Sequence, residues 1–318
     1  MARAGEQAVL RGERPVVGAA LVLGAASLWA TFGIFAKYLY EAGFAPLELA
    51  SVRAAVGFAG IALIGLARVQ RLRVPLRALP FFAAYGILGF AFFELVFFAA
   101  LERTTVSIAV ALLYTAPAFV VLLSALIWHE RLDRVRAVAL ALVLGGVVLV
   151  TGAAGSLLRG DAAVPFPALL LGLGSGLGYA LYTLFSKVAT ERHGALASLF
   201  WSFAFAAVAL ALAASPIAPF VREPSHALLL LGLGIVPTIL PYALYLAALK
   251  RLRASTAAML ASLEPAVAAV LAALLLGERM DAPQVAGMGM VVAAAVLLAG
   301  RWSRLRRSSA REPARSHP

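Results

Sequence analysis

The sequence predicts an all-α membrane protein of ten transmembrane helices, arranged as two inverted five-helix repeats. Three observations carry this. The 318 residues are 63% hydrophobic and 13% charged, with mean hydropathy +0.95; water-soluble domains average about 45–50% apolar and about 25% charged. The chain also repeats itself: residues 99–133 align without a gap on 247–281, an offset of 148, with 15 of 35 positions identical. Alanine and leucine matches mean little here. A proline inside an apolar helix (Pro117, Pro265) and a closing Glu-Arg-x-Asp (Glu130, Arg131, Asp133; Glu278, Arg279, Asp281) mean more. Third, the basic residues alternate between the two sides of the predicted spans.

A membrane helix needs roughly 20 mostly apolar residues. After a charged tail (1–15), the first repeat (16–155) holds spans at 16–38, 46–66, 78–101, 105–128 and 135–154. A linker (156–165) leads to the second repeat (166–301), with spans at 166–188, 195–214, 227–249, 254–277 and 283–300, and a basic tail (302–318) follows. The first span is too long for a signal-peptide core, so the N-terminal tail is read as cytoplasmic.

Taking alternate connections, 21 of the 27 Lys and Arg fall with the two tails, five fall opposite (Lys37, Arg103, Arg159, Arg222, Arg279), and Arg53 lies within a span. By the positive-inside rule both termini are cytoplasmic, in the inner (plasma) membrane. The net charge of +12 is thereby distributed between spans, which argues for lipid and against a nucleic-acid partner. An odd number of spans per repeat threads the second repeat in the opposite sense. The first helices agree: Gly24, Ala30, Phe35 and Lys37 match Gly174, Ala180, Phe185 and Lys187 at an offset of 150. Inverted repeats are an architecture of alternating-access transporters.

Ionisable groups inside spans are costly and need a reason. Arg53 lies about seven residues into the second span, roughly 11 Å at 1.5 Å per residue, and Glu94 lies at similar depth in the third. They form a predicted buried ion pair, which either locks two helices together or leaves Glu94 facing a cavity. Glu264 sits mid-span before Pro265, where the other repeat has Ala116. That asymmetry makes it the first candidate for contact with a substrate amine or cation. Pro117, Pro265, Pro237 and Pro241 each remove a backbone donor, and they are read as hinges or as ordinary kinks. The mid-span aromatics Trp29, Phe32, Tyr114, Tyr179, Tyr182 and Tyr242 are candidates for lining a substrate site or for packing. The glycines Gly172, Gly174, Gly176 and Gly178 lack the third position of a nucleotide fingerprint and read as close helix packing. Glu130, Arg131, Glu278 and Arg279 read as surface caps.

Without cysteine, thiolate metal sites, thiol nucleophiles and disulfides are excluded. No P-loop motif is present, and the four histidines have neither metal-ligand spacing nor a place inside a span, so no cofactor and no enzyme activity are expected. An intramembrane enzyme or a membrane sensor or scaffold remains the alternative.

On the duplicated proline and Gly/His-Glu-Arg ending, the chain resembles the EamA branch of the drug/metabolite transporter superfamily over residues 16–301. The resemblance implies a central cavity lined by helices 1, 3, 4, 6, 8 and 9, and a secondary transporter. In the shortest relatives it implies proton coupling through a first-helix Glu. This chain departs there, because residues 16–36 and 166–186 contain no acid. The expected activity is export of small organic metabolites, amino acids or amphipathic compounds, with a proton as candidate coupling ion.

Overall fold

The computed structural model describes residues 15–104, 106–130, 132–153, 155, 165–276 and 281–309, and among them all regular structure is helical. The chain runs through α1 (Val16–Glu41), α2 (Pro46–Leu66), α3 (Leu76–Leu101), α4 (Ile108–Trp128), α5 (Arg134–Val150), α6 (Phe166–His193), α7 (Ala195–Ala213), α8 (Pro224–Leu249), α9 (Ala254–Leu275) and α10 (Ala282–Ser309). Eight of the described helices, all but α5 and α10, are long and apolar enough to cross a membrane. Helix α5 has 17 residues, and the apolar part of α10 is Ala282–Leu298.

Packing follows the duplication. Helix α2 lies on α7 and α5 on α10, while α1 against α8 is mirrored by α6 against α3, and α9 against α1 by α4 against α6. Small residues let the backbones approach. A Cβ on Gly146 would stand 2.8 Å from the Gly287 carbonyl oxygen, and one on Gly287 would stand 2.6 Å from that of Gly146. The glycine run of α6 does the same work, since Gly176 faces the Leu112 carbonyl and Gly178 the backbone of Phe93.

Side-chain bonds repeat as well. Arg103 Nη1 donates to Ala99 O at 2.7 Å and Arg251 Nη1 to Ala247 O at 2.6 Å, each capping the helix it ends. The aspartates that close the two Glu-Arg-x-Asp motifs start the next helices. Asp133 accepts from Arg136 N at 3.1 Å ahead of α5, and Asp281 accepts from Gln284 N at 2.8 Å ahead of α10. Glu130 is more than a surface cap: it accepts from Ser255 Oγ at 2.7 Å, tying the end of α4 to the start of α9. Arg131, Glu278 and Arg279 lie outside the described residues.

Several boundaries differ from the sequence expectation. Helices α1 and α6 continue to Glu41 and His193, past 38 and 188, so Glu41 and Glu191 sit on helices. Helix α10 continues to Ser309, into the stretch read as tail. Hydropathy stops where charge begins, whereas a helix carrying Lys and Arg at its C-terminal end is favoured by the macrodipole and runs on.

Candidate functional site

Five helices are interrupted near mid-length: α1 at Thr31, where its repeat mate α6 runs unbroken, and four others in matched pairs. Helix α4 breaks between Val106–Leu113 and Ala116–Trp128, and α9 between Ala254–Ala261 and Glu264–Leu276. Pro117 and Pro265 each occupy the second position of the resumed helix, where a missing N–H costs least. The break in α4 is stabilised by Thr115, whose Oγ1 donates to Leu112 O at 2.6 Å. The second pair is a wide π turn at Ile87–Ala91 in α3 and at Ile235–Ile239 in α8, again 148 residues apart. Pro237 and Pro241 read in the sequence as hinges or ordinary kinks of α8. The same turn forms in α3 without a proline, so a proline is not required for it, and Pro241 lies beyond the turn in the resumed helix.

The breaks in α4 and α9 border a cavity of about 500 Å³ whose wall also includes α1, α2, α3, α6 and α8; the residues of the two π turns do not line it. Its inner wall is aromatic. Trp29 meets Tyr242 at 5.3 Å and Tyr179 at 6.4 Å between ring centroids, both edge to face. The indole Nε1 of Trp29 and the hydroxyl of Tyr179 are buried without a hydrogen-bond partner. The cavity extends along α1 and α3 to Lys37, Tyr40, Glu41 and Leu101, so its mouth lies where these two helices end.

One of its charges stands at a break. Glu264 is the first residue of the resumed half of α9, where the positive end of the helix dipole favours a carboxylate. The Tyr114 side chain lies against it from the matching break in α4. Arg53, 6% exposed, donates through Nη1 to Glu94 Oε1 at 2.9 Å and through Nε to Thr238 Oγ1 at 3.3 Å. Thr238 in turn donates to Leu233 O at 2.8 Å, five residues back, so the π turn of α8 supplies the hydroxyl that steadies the guanidinium. The Arg53 guanidinium carbon also stands 4.5 Å from the Phe32 ring centre.

Of the residues singled out in the sequence, Trp29, Phe32, Arg53, Glu94, Tyr114, Tyr179, Tyr242, Glu264 and Pro265 border the cavity. Tyr182 does not; it is 1% exposed and packs among Tyr85, Tyr179, Tyr242 and Tyr245. Nor do Pro117, Pro237 and Pro241. Sequence reasoning missed Phe93, Phe97 and Phe98, which complete the wall from α3. Their only signal was aromatic density in one span, which a lipid-facing helix shares. The resemblance anticipated α1, α3, α4, α6, α8 and α9; α2 contributes through Arg53. Among the described residues no group of His, Asp and Glu is arranged to hold a metal ion.

Comparisons with known proteins agree with this arrangement. The sequence matches the model of the EamA-like transporter family over residues 16–152 and 166–300. It is 30% identical over 284 residues to an uncharacterized transporter of Archaeoglobus fulgidus, covering 89% of this chain and 96% of that one. It is 29% identical over 281 residues to the threonine/homoserine exporter RhtA of Escherichia coli K12, covering 88% of each. A crystal structure of a chain 22% identical shares the fold with a TM-score of 0.73, covering 91% of this chain and 98% of that one. With both of its repeats matched, the chain belongs to the EamA-like transporter family.

Proposed function

We propose that this protein is a secondary transporter of the inner membrane that exports small organic metabolites, amino acids foremost, by alternating access. The observation that carries the proposal is a central cavity bordered by one ion-paired cation, Arg53, and by a carboxylate, Glu264, that lies outside that pair. Counting Arg53, Glu94 and Glu264 as ionised, the site holds one negative charge in excess, which suits an ammonium or a coupling proton. A zwitterion would place its ammonium at Glu264, beside the faces of Trp29 and Tyr179, and its carboxylate toward Arg53 Nη2, which the ion pair leaves unused. The likeness to a threonine/homoserine exporter supports amino acids as the first substrates to test.

In this reading all ten helices span the bilayer, the second repeat is inverted relative to the first, and both termini are cytoplasmic. Packing supports the inversion. The end of α3 borders the cavity with the end of α1, whereas Leu252, just past the end of α8, lies against Gly18 at the start of α1. Helices α3 and α8 therefore run in opposite senses beside α1. The paired breaks in α4 and α9 are the points at which helix halves would swing to close one end.

The test compares metabolites in the medium of cells with and without the gene, then follows L-threonine flux in proteoliposomes at two pH values. Gene-dependent accumulation of an unaltered amino acid and its flux through the purified protein are expected. Conversion of the compound, or no flux of any compound released by the cells, would overturn the proposal.

A further inference from the structure

We infer that Tyr182, Thr183, Ser186 and Tyr245 line a second route to the cavity, sealed in this structure, which carries a polar solute between the cavity and the end opposite the mouth. The inference rests on the alternating-access reading and names the surface that the other state exposes. The open route shows which faces to compare. It runs between α1 and α3, past Phe32, Gly33 and Ala36 on one side and Phe97 on the other. At an offset of 150 the three α1 positions become Tyr182, Thr183 and Ser186 of α6, and at an offset of 148 Phe97 becomes Tyr245 of α8. Four wall positions without a side-chain polar atom are thus matched, place for place, by four hydroxyls.

Each of the four is 1% exposed or less. They form a file that starts at the cavity. The Tyr182 ring packs on Tyr179 and Tyr242, which belong to the cavity wall, and on Tyr245 beyond them. Thr183 Oγ1 lies 3.2 Å from the Tyr245 hydroxyl, joining α6 to α8. Three residues on, Ser186 Oγ lies 2.6 Å from the hydroxyl of Tyr85, joining α6 to α3, and the Tyr85 ring packs back on Tyr182. The file ends where Lys187 Nζ meets the Leu249 and Leu252 carbonyls, and Leu252 lies against Gly18 at the start of α1. That is the end of α1 remote from the mouth. Paired with one another, the hydroxyls shut the space between α6, α8 and α3. The duplication does not require them, since their mates in α1 and α3 have none. Their use lies in the opened state: a hydroxyl pair exchanges its bond for bonds to water at little net cost, so the surface it covers can be wetted, whereas exposing apolar area is opposed by the hydrophobic effect.

The native chain has no cysteine, so reporters can be introduced singly. Gly33→Cys reports the open route and Thr183→Cys the matching place on the sealed one. Ser175→Cys is the control: Ser175 is 0% exposed on α6, and neither it nor its mate Ala25 borders the cavity. Each is labelled with a sulfonated, membrane-impermeant maleimide in sealed membrane vesicles of either orientation. Positions 33 and 183 should react from opposite sides of the membrane, and 175 from neither. Gly33→Trp then links the two routes. A Cβ at Gly33 meets nothing within 4 Å, so a bulky side chain fits the open route and obstructs its closing. Labelling at 183 should fall about tenfold in that background, the effect of a steric penalty on one side of a two-state equilibrium. If Gly33→Trp does not fold, the sidedness of 33 and 183 decides alone. Labelling of 183 from the same side as 33, labelling of 175 as fast as 183, or a rate at 183 that ignores a folded Gly33→Trp would overturn the second route. L-Threonine flux through the purified parent and reporters is measured alongside. Flux with position 183 unreactive removes the route and keeps the transporter, whereas a parent chain without flux of any compound that the cells release removes the transport reading on which the route rests.

Discussion

Arg53 Nη1 and Glu94 Oε1 meet at 2.9 Å, with the two side chains 8% and 2% exposed. Removing one charge from such a pair leaves the other buried alone, at a cost of about 3–5 kcal/mol, whereas replacing both with apolar groups is often neutral. Glu94→Gln should therefore lower stability by about 3 kcal/mol, with Arg53→Met/Glu94→Met recovering most of it. Thermal unfolding of the purified variants in detergent checks this. A double variant as unstable as the single would mean that Arg53 is held chiefly by Thr238 and Phe32.

Glu264 stands at the start of a half-helix and borders the cavity. Glu264→Gln keeps its shape and removes its charge. It should reduce amino-acid efflux about tenfold, the scale of one charge-assisted contact, with yield and unfolding temperature close to the parent. Undiminished efflux would place the substrate elsewhere on the wall.

Gly86 and Gly234 occupy corresponding places just ahead of the two π turns, and their surroundings differ. A Cβ at Gly86 would collide with the Ser202 carbonyl of α7, and one at Gly234 with the Val56 side chain of α2. The Val56 Cβ itself stands against that position and cannot rotate aside, so neither site has room. Gly86→Ala and Gly234→Ala should each cost about 2–3 kcal/mol, measured as the difference in unfolding midpoint.

Because α3 forms its π turn without proline, Pro237→Ala should leave the turn of α8 intact and change stability by less than about 1 kcal/mol. Thr238→Val should cost more, about 1–3 kcal/mol, since Thr238 Oγ1 serves both Arg53 and the Leu233 carbonyl. Equal effects would show that the proline imposes the distortion after all.

Much of the fold was legible in the sequence because a bilayer imposes contiguous apolar runs, and because the Pro and Glu-Arg-x-Asp signature recurs without a gap. The charged part of the site was legible for the same reason: Arg53, Glu94 and Glu264 stand out against an apolar background. The aromatic part was less so. Tyr182 and Tyr179 are three residues apart on one helix, yet only Tyr179 reaches the cavity, and Phe93 resembles any lipid-facing phenylalanine until α1 and α6 are packed beside it. The π turn of α3 left no mark, since Ile87-Leu88-Gly89-Phe90-Ala91 has the composition of an ordinary apolar helix. Lys187 was counted for its sidedness and for the repeat; the docking of its ammonium on the Leu249 and Leu252 carbonyls at the end of α8 is a contact between distant segments that no sequence pattern marks.

The matched π turns also bear on history. A register defect that recurs 148 residues later, in Ile87–Ala91 and Ile235–Ile239, is more simply inherited once than invented twice. The unit that was copied then already carried the defect. Pro237 and Glu264 each occur in one copy only, with Gly89 and Ala116 at the corresponding places, so the two halves have since diverged at the turn and at the break.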